Sequence, residues 1–162
     1  MDKIAKIRML ILDVDGVLTD GGLYYTERGD EFKRFNAKDG LALVRARRKG
    51  LRLGIISNST NEGIIGARAQ KLGIEHIYVG ERPKIEVIHE WMQTLNISLE
   101  EIAYIGDDLN DYYILQAVGL SMCPADAVWQ LHQLVDVRLL RKGGDACVRE
   151  AIETVLGIEL MN

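Results

Sequence analysis

An aliphatic stretch from Arg8 to Leu12 stops abruptly at Asp13-Val14-Asp15-Gly16, two carboxylates one residue apart followed by a breaker. A short run this apolar reads as a strand buried on both faces, which is what a parallel sheet covered by helices demands. Asp13 and Asp15 then sit at the strand's carboxyl end, the edge at which open parallel sheets bind ligands. Side chains alternate along an extended backbone, so the two acids face the same way if strand geometry persists through them. Like charges that close are costly without a cation or a shared proton. An acid-x-acid-glycine segment also closes strands as a plain turn, and by itself this stretch does not choose between the two.

The remaining chain repeats the pattern. Leu51–Ser57, His76–Val79, Ile102–Ile105, Leu120–Cys123 and about 135–139 are further strand candidates. Between them, helices are predicted over Lys38–Lys49, from the Ser57-Asn58-Ser59-Thr60 cluster to Leu72, from Pro83-Lys84 to about Leu95, to about Val118, near 127–133 and over about 145–156. Leu41, Leu43 and Val44 supply the apolar face of the first helix, and the small polar cluster after Ser57 suits a helix cap. Strands alternating with helices at this spacing predict an α/β fold with a doubly wound, mainly parallel sheet. Residues 21–36 break the alternation and read as a β-hairpin around Glu27-Arg28-Gly29-Asp30. The hairpin is apolar on both faces, and a lone two-stranded ribbon is marginal in water, so it must pack on its own domain or on a neighbouring subunit.

Composition removes several function classes. A chain of 162 residues, 48% hydrophobic and 27% charged, fits one domain with one good core. Its net charge of −4 and the lack of a basic stripe with interleaved aromatics argue against nucleic acid. Arg45, Arg47, Arg48 and Lys49 fall at a helix end, where cations oppose the dipole. Met1-Asp2-Lys3-Ile4-Ala5-Lys6 lacks a signal-peptide core, and no apolar run approaches the ~18 residues of a membrane span. Cys123 and Cys147 lack close spacing. A cytoplasmic protein with reduced thiols and no membrane partner is expected.

Parallel connectivity brings four strand ends to one rim: Asp13 and Asp15, then Ser57 and Asn58, then Lys84, then Asp107, Asp108 and Asp111. Clustered carboxylates without His or Cys select a hard cation, and Mg²⁺ characteristically takes one or two carboxylates plus a phosphate oxygen. A hydroxyl, amides at a helix start and a lysine suit the other phosphate oxygens. In such a site Asp13 is the natural nucleophile, forming an aspartyl-phosphate. Asp15 is placed to protonate the leaving oxygen and later to activate water, and Lys84 to neutralise transition-state charge.

These residues resemble the four motifs of the haloacid dehalogenase superfamily of phosphatases: Asp13-Val14-Asp15-Gly16-Val17, Ser57, Lys84 and Gly106-Asp107-Asp108-Leu109-Asn110-Asp111. The resemblance covers nearly the whole chain and is strongest to the small capless branch acting on phosphorylated 3-deoxy-2-keto sugar acids. Thr19-Asp20-Gly21-Gly22, Phe35-Asn36, Asp39-Gly40, Lys142-Gly143-Gly144 and Val148-Arg149-Glu150 are similar to that branch as well. It implies a phosphoric monoester hydrolase for 3-deoxy-D-manno-octulosonate 8-phosphate, or alternatively for a nonulosonic-acid 9-phosphate. It implies Mg²⁺ held by Asp13, the main-chain carbonyl of Asp15 and Asp107, with Asp108 and Asp111 in support. Ser57, Asn58 and Lys84 would bind phosphate, Arg68 and Lys71 the sugar acid, and Arg149 would reach a neighbouring site. A homotetramer with hairpins at its centre is implied too. The chain departs from the family at Asn58-Ser59-Thr60, where a glycine is usual. Two other classes compete. A receiver domain lacks an acid at the position of Asp15, whereas a catalytically idle tetrameric binding module would retain the fold without turnover.

Overall fold

The computed structural model describes residues 3–161. Met1 and Asp2, which begin the N-terminal segment read above, lie outside the described residues, as does Asn162. In chain order the elements are β1 (Met9–Leu12), β2 (Tyr24–Tyr25), β3 (Glu31–Phe32), α1 (Ala37–Arg48), β4 (Arg52–Ser57), α2 (Glu62–Leu72) and β5 (His76–Val79). There follow α3 (Lys84–Leu95), β6 (Ile102–Ile105), α4 (Tyr112–Ala117), β7 (Leu120–Cys123), β8 (Val137–Arg138) and α5 (Cys147–Glu150), which runs on into a wider turn at Ala151–Val155.

Six strands form one all-parallel sheet in the order β5-β4-β1-β6-β7-β8. β1 lies at its centre, with Leu12 opposite Ile55 of β4 and Ile105 of β6. This doubly wound order reverses direction between β1 and β6, so the crevice for a ligand opens between the residues that follow those two strands. Alternation divides the core. Leu10, Leu12, Leu53, Ile55 and Ile105 pack with Leu43, Ile65, Val148 and Ile152 on one face. Met9, Ile11, Ile56, Ile102 and Tyr104 pack with Val87, Ile88, Ile114 and Leu115 on the other.

Several expectations are corrected in detail. β1 ends at Leu12, and Gly16 with φ of +77° turns the chain, so strand alternation does not carry Asp13 and Asp15 to a common direction. Leu41 is exposed, because α1 rests on Ala42, Leu43 and Ala46, whose small members let the helix sit close to its neighbours. The cap of α2 is Asn61, whose side chain accepts from the Ile64 amide. The Ser57 and Ser59 hydroxyl oxygens instead turn the loop, accepting from the amides of Ser59 and Asn61, which leaves the Ser57 O–H available as a donor. The helix expected near 127–133 is a single turn at Leu131–Gln133. The last strand shortens to two residues, since Asp136 bonds Ser121 through its side chain.

The hairpin stands away from the sheet. Tyr24 and Phe32 stack at 5.3 Å, while Leu23, Tyr25 and Phe32 remain exposed. It is tied down at its base: Thr19 bridges Phe35, and Asp20 accepts from the Tyr24 hydroxyl at 2.6 Å and from Arg34 at 3.1 Å. Below it the Gly143-Gly144 turn presses on the loop after β1. The Gly144 amide donates to Val17 O, the Asn36 side chain donates to Gly144 O, and a Cβ on Gly143 would lie 1.9 Å from Gly16 O. Gly143→Ala should therefore cost about 1–3 kcal/mol of stability as the loop is forced to shift. Urea unfolding tests this, and an unchanged midpoint would show that the turn does not buttress the β1 loop.

Candidate active site

Asp13 follows directly from the central strand; its amide donates to Ile105 O at 3.0 Å, which locks it beside β6. The residue is 4% exposed. One carboxylate oxygen accepts from the Val14 amide at 2.7 Å, and the other lies 2.8 Å from Lys84 Nζ. Lys84 reaches this point from the first turn of α3 and lies 2.7 Å from Asp111 Oδ1. Asp111 is fully buried; its Oδ1 also accepts from the Tyr104 hydroxyl at 2.6 Å, and its Oδ2 accepts from the Asp107 amide at 3.0 Å. Its oxygens are thus committed to holding the lysine and the β6 loop in place.

Asp107 completes the cluster. Oxygens of Asp13, Asp107 and Asp111 lie within 4.8 Å of one another. Gly16 makes the approach possible, since a Cβ there would stand 1.9 Å from Asp107 Oδ2. The glycine of the opening motif is therefore a space left for the third acid as well as a turn. Burial, then the charges of Asp111 and Asp108, pushes the Asp107 carboxyl up to about 7. Burial and the Asp111 charge raise Asp13, with Lys84 opposing them. Burial alone would lower the Lys84 ammonium, but Asp13 and Asp111 outweigh it and the net shift is upward. Three acids against one contacting ammonium leave negative charge uncompensated. All-oxygen donors in that state fit a divalent hard cation, and Mg²⁺ fits this site.

The other predicted residues divide. Ser57 is buried at the end of β4, next to the cluster's strand. Asn58 is exposed at the rim, donating to Gly80 O at 2.8 Å and accepting from Asn110 at 3.2 Å, so its side chain ties three strand ends together. Asp108 is exposed and accepts from the Leu109 amide. Asp15 turns toward the hairpin, where its Oδ1 accepts from Lys33 at 2.7 Å. Arg68 lies across the Phe35 ring at 5.3 Å and donates to Asn36 O at 3.2 Å, while Lys71 is exposed on α2. Arg149 pairs with Glu153 one turn further along its helix. Lys33 and Tyr104 escaped the sequence reading. Tyr104 carries the lone hydroxyl of the Ile102–Ile105 strand, and a buried tyrosine hydroxyl requires a partner.

Known proteins similar to this chain are hydrolases and phosphatases. Residues 35–119 match the family model of haloacid dehalogenase-like hydrolases. The 3-deoxy-D-manno-octulosonate 8-phosphate phosphatase KdsC of Yersinia pestis is 38% identical over 156 residues, covering 96% of this chain and 83% of that protein. The structure of the corresponding phosphatase from Moraxella catarrhalis, in complex with magnesium, phosphate and KDO, superposes with a TM-score of 0.91 at 34% identity, covering 96% of this chain and 88% of that one. The cobalt-bound phosphatase of Haemophilus influenzae gives a TM-score of 0.90 at 33% identity, with 96% and 91% covered.

A proton on Asp107 competes with the metal. Because its carboxyl titrates at about 7, Mg²⁺ affinity should rise with pH up to that point and fall by up to about tenfold per unit below it. Calorimetric titration across this range measures it directly, and a dissociation constant independent of pH would contradict the shared cluster.

Proposed function

The chain belongs to the haloacid dehalogenase-like hydrolases, and we propose that it is a Mg²⁺-dependent phosphatase hydrolysing 3-deoxy-D-manno-octulosonate 8-phosphate through an aspartyl-phosphate on Asp13. The observation that carries this reading is the buried Asp13 carboxylate at the central strand end, held by Lys84 at 2.8 Å beside Asp107.

Asp13, Asp107 and the main-chain carbonyl of Asp15 hold the metal in this reading. Bound Mg²⁺ supplies charge neutralisation to the phosphoryl oxygens. A carboxylate oxygen of Asp13 bonds to phosphorus as the ester oxygen–phosphorus bond breaks. The electron pair of that bond passes to the leaving oxygen, which takes a proton from Asp15 and departs as the sugar-acid alcohol. In the second half, Asp15 removes a proton from water, whose oxygen bonds to phosphorus and frees Asp13. Lys84 offsets phosphoryl charge in both halves, and the Ser57 hydroxyl with the Asn58 amide holds phosphoryl oxygens. Each proton transfer of this kind is worth ~10²–10⁴-fold in rate.

Arg68 and Lys71 supply cations for the carboxylate of the sugar acid. The chain works as one domain, its hairpin joining a homotetramer: exposed Leu23, Tyr25 and Phe32 give that assembly an apolar surface to bury. In that assembly Arg149 would serve a neighbouring site, released from its pair with Glu153. A cytoplasmic location accords with the buried free cysteines, and no helix among the described residues is long and apolar enough to cross a membrane.

A phosphate-release screen should rank 3-deoxy-D-manno-octulosonate 8-phosphate above nonulosonic-acid 9-phosphates and simple sugar phosphates, with activity lost on chelation of Mg²⁺. Preference for a 9-phosphate would move the substrate assignment to the Asn58-Ser59-Thr60 loop. Asp13→Asn should abolish turnover while leaving the melting transition in place, and retained turnover would remove Asp13 as nucleophile.

A further inference from the structure

The hairpin carries a buried ammonium that the reaction as described leaves without a task. The Lys33 side chain is 2% exposed, although Leu23, Tyr25 and Phe32 of the same hairpin face solvent. A lysine on a thin ribbon ordinarily extends its ammonium to water. Here Nζ turns inward and lies 2.7 Å from Asp15 Oδ1 and 3.0 Å from Glu31 Oε1. Glu31 in turn accepts from the side chain of Asn61, the cap of α2, at 3.5 Å. The contacts Asp15–Lys33–Glu31–Asn61 thus link the β1 loop, the hairpin and the loop after β4. Burying an ammonium is costly unless it is paired and hydrogen-bonded, so an inward lysine with two carboxylates is a built arrangement.

From this geometry we infer that Lys33 is a positioning residue for proton transfer: by holding Oδ1 of Asp15, it aims the other carboxylate oxygen at the leaving group. Glu31 fixes the ammonium from the opposite side. The inference rests on the reading of Asp15 as proton donor. A general acid must lie within hydrogen-bond reach of the departing oxygen, and an untethered aspartate spends little time there. The hairpin therefore contributes to the chemistry of its own protomer, apart from any part in assembly.

The need for the proton depends on the leaving group, which gives a test that a merely structural role would not pass. As the oxygen–phosphorus bond breaks, an alkoxide from a sugar acid is too basic to leave without the proton, whereas p-nitrophenolate leaves without it. Lys33→Met should lower kcat/KM, which reports only the steps up to the aspartyl-phosphate and not its hydrolysis by Asp15-activated water, by ~10²-fold on the sugar-acid phosphate, the size of a general-acid effect, and by less than about threefold on p-nitrophenyl phosphate. Lys33→Arg should restore most of the loss. Circular dichroism melts and light scattering establish that each variant folds and assembles as the parent does. If Lys33→Met fails to fold, Glu31→Gln, which keeps both Lys33 and Asp15, carries the test, with a smaller loss again confined to the alkyl ester. Equal losses on the two esters in a folded variant, or no loss on either, would overturn the inference. A parent protein that hydrolyses neither ester would instead sink the phosphatase reading beneath it.

Discussion

Carboxylates forced together in a buried rim are the constraint on which the rest of this structure turns. Asp13, Asp107 and Asp111 bring oxygens within 4.8 Å, and the ammonium that touches two of them belongs to Lys84. Acids at this spacing repel unless protons or cations intervene, and the upward shifts of Asp13 and Asp107 record that repulsion together with burial. A divalent cation relieves it and keeps Asp13, the proposed nucleophile, charged. Relief of that repulsion favours metal binding, and bound metal together with Lys84 supplies the positive charge that a phosphoryl group requires.

The fold delivers that tension by topology and by omitted atoms. Four adjacent strands, β5-β4-β1-β6, end in the residues concerned, and the reversal of strand order between β1 and β6 opens the crevice between Asp13 and Asp107. Gly16 leaves the volume that the Asp107 carboxylate fills, while Gly143 leaves the volume that lets the C-terminal turn support the β1 loop from below. Asp111 spends its oxygens on Lys84, Tyr104 and the Asp107 amide, and so converts an acid into scaffolding. These small and buried residues set where the charges lie, and so join motifs far apart in the chain at one rim.

The sequence made the parallel sheet legible because strands buried on both faces are continuous apolar runs, and it made Asp13, Asp107 and Lys84 legible because each lies within a few residues of the end of such a run. Details governed by tertiary contact were not legible. Leu41 looked as apolar as Leu43, but packing of α1 through Ala42 and Ala46 decided which of them is buried. Ser57 and Ser59 looked like helix caps, but their hydroxyl oxygens accept within loop turns and the cap falls to Asn61. Asp15 parted from Asp13 because the strand ended at Leu12, before both, and extended alternation did not carry through them. Lys33 was hidden by its setting, since an alternating ribbon gives no hint that one of its cations folds inward onto an acid eighteen residues earlier.

Two carboxylates that looked equivalent in the chain thus come to occupy different electrostatic surroundings, Asp13 against Lys84 in the rim and Asp15 against Lys33 of the hairpin. In the proposed mechanism that separation suits one to act as nucleophile and the other to carry the proton. The stereochemical course at phosphorus tests this division most directly, using an isotopically chiral phosphorothioate ester of the sugar acid hydrolysed in labelled water. Attack by Asp13 followed by attack of water inverts the phosphorus centre twice, so net retention of configuration is the predicted result. Net inversion would mean that water displaces the leaving group in one step and would contradict the account.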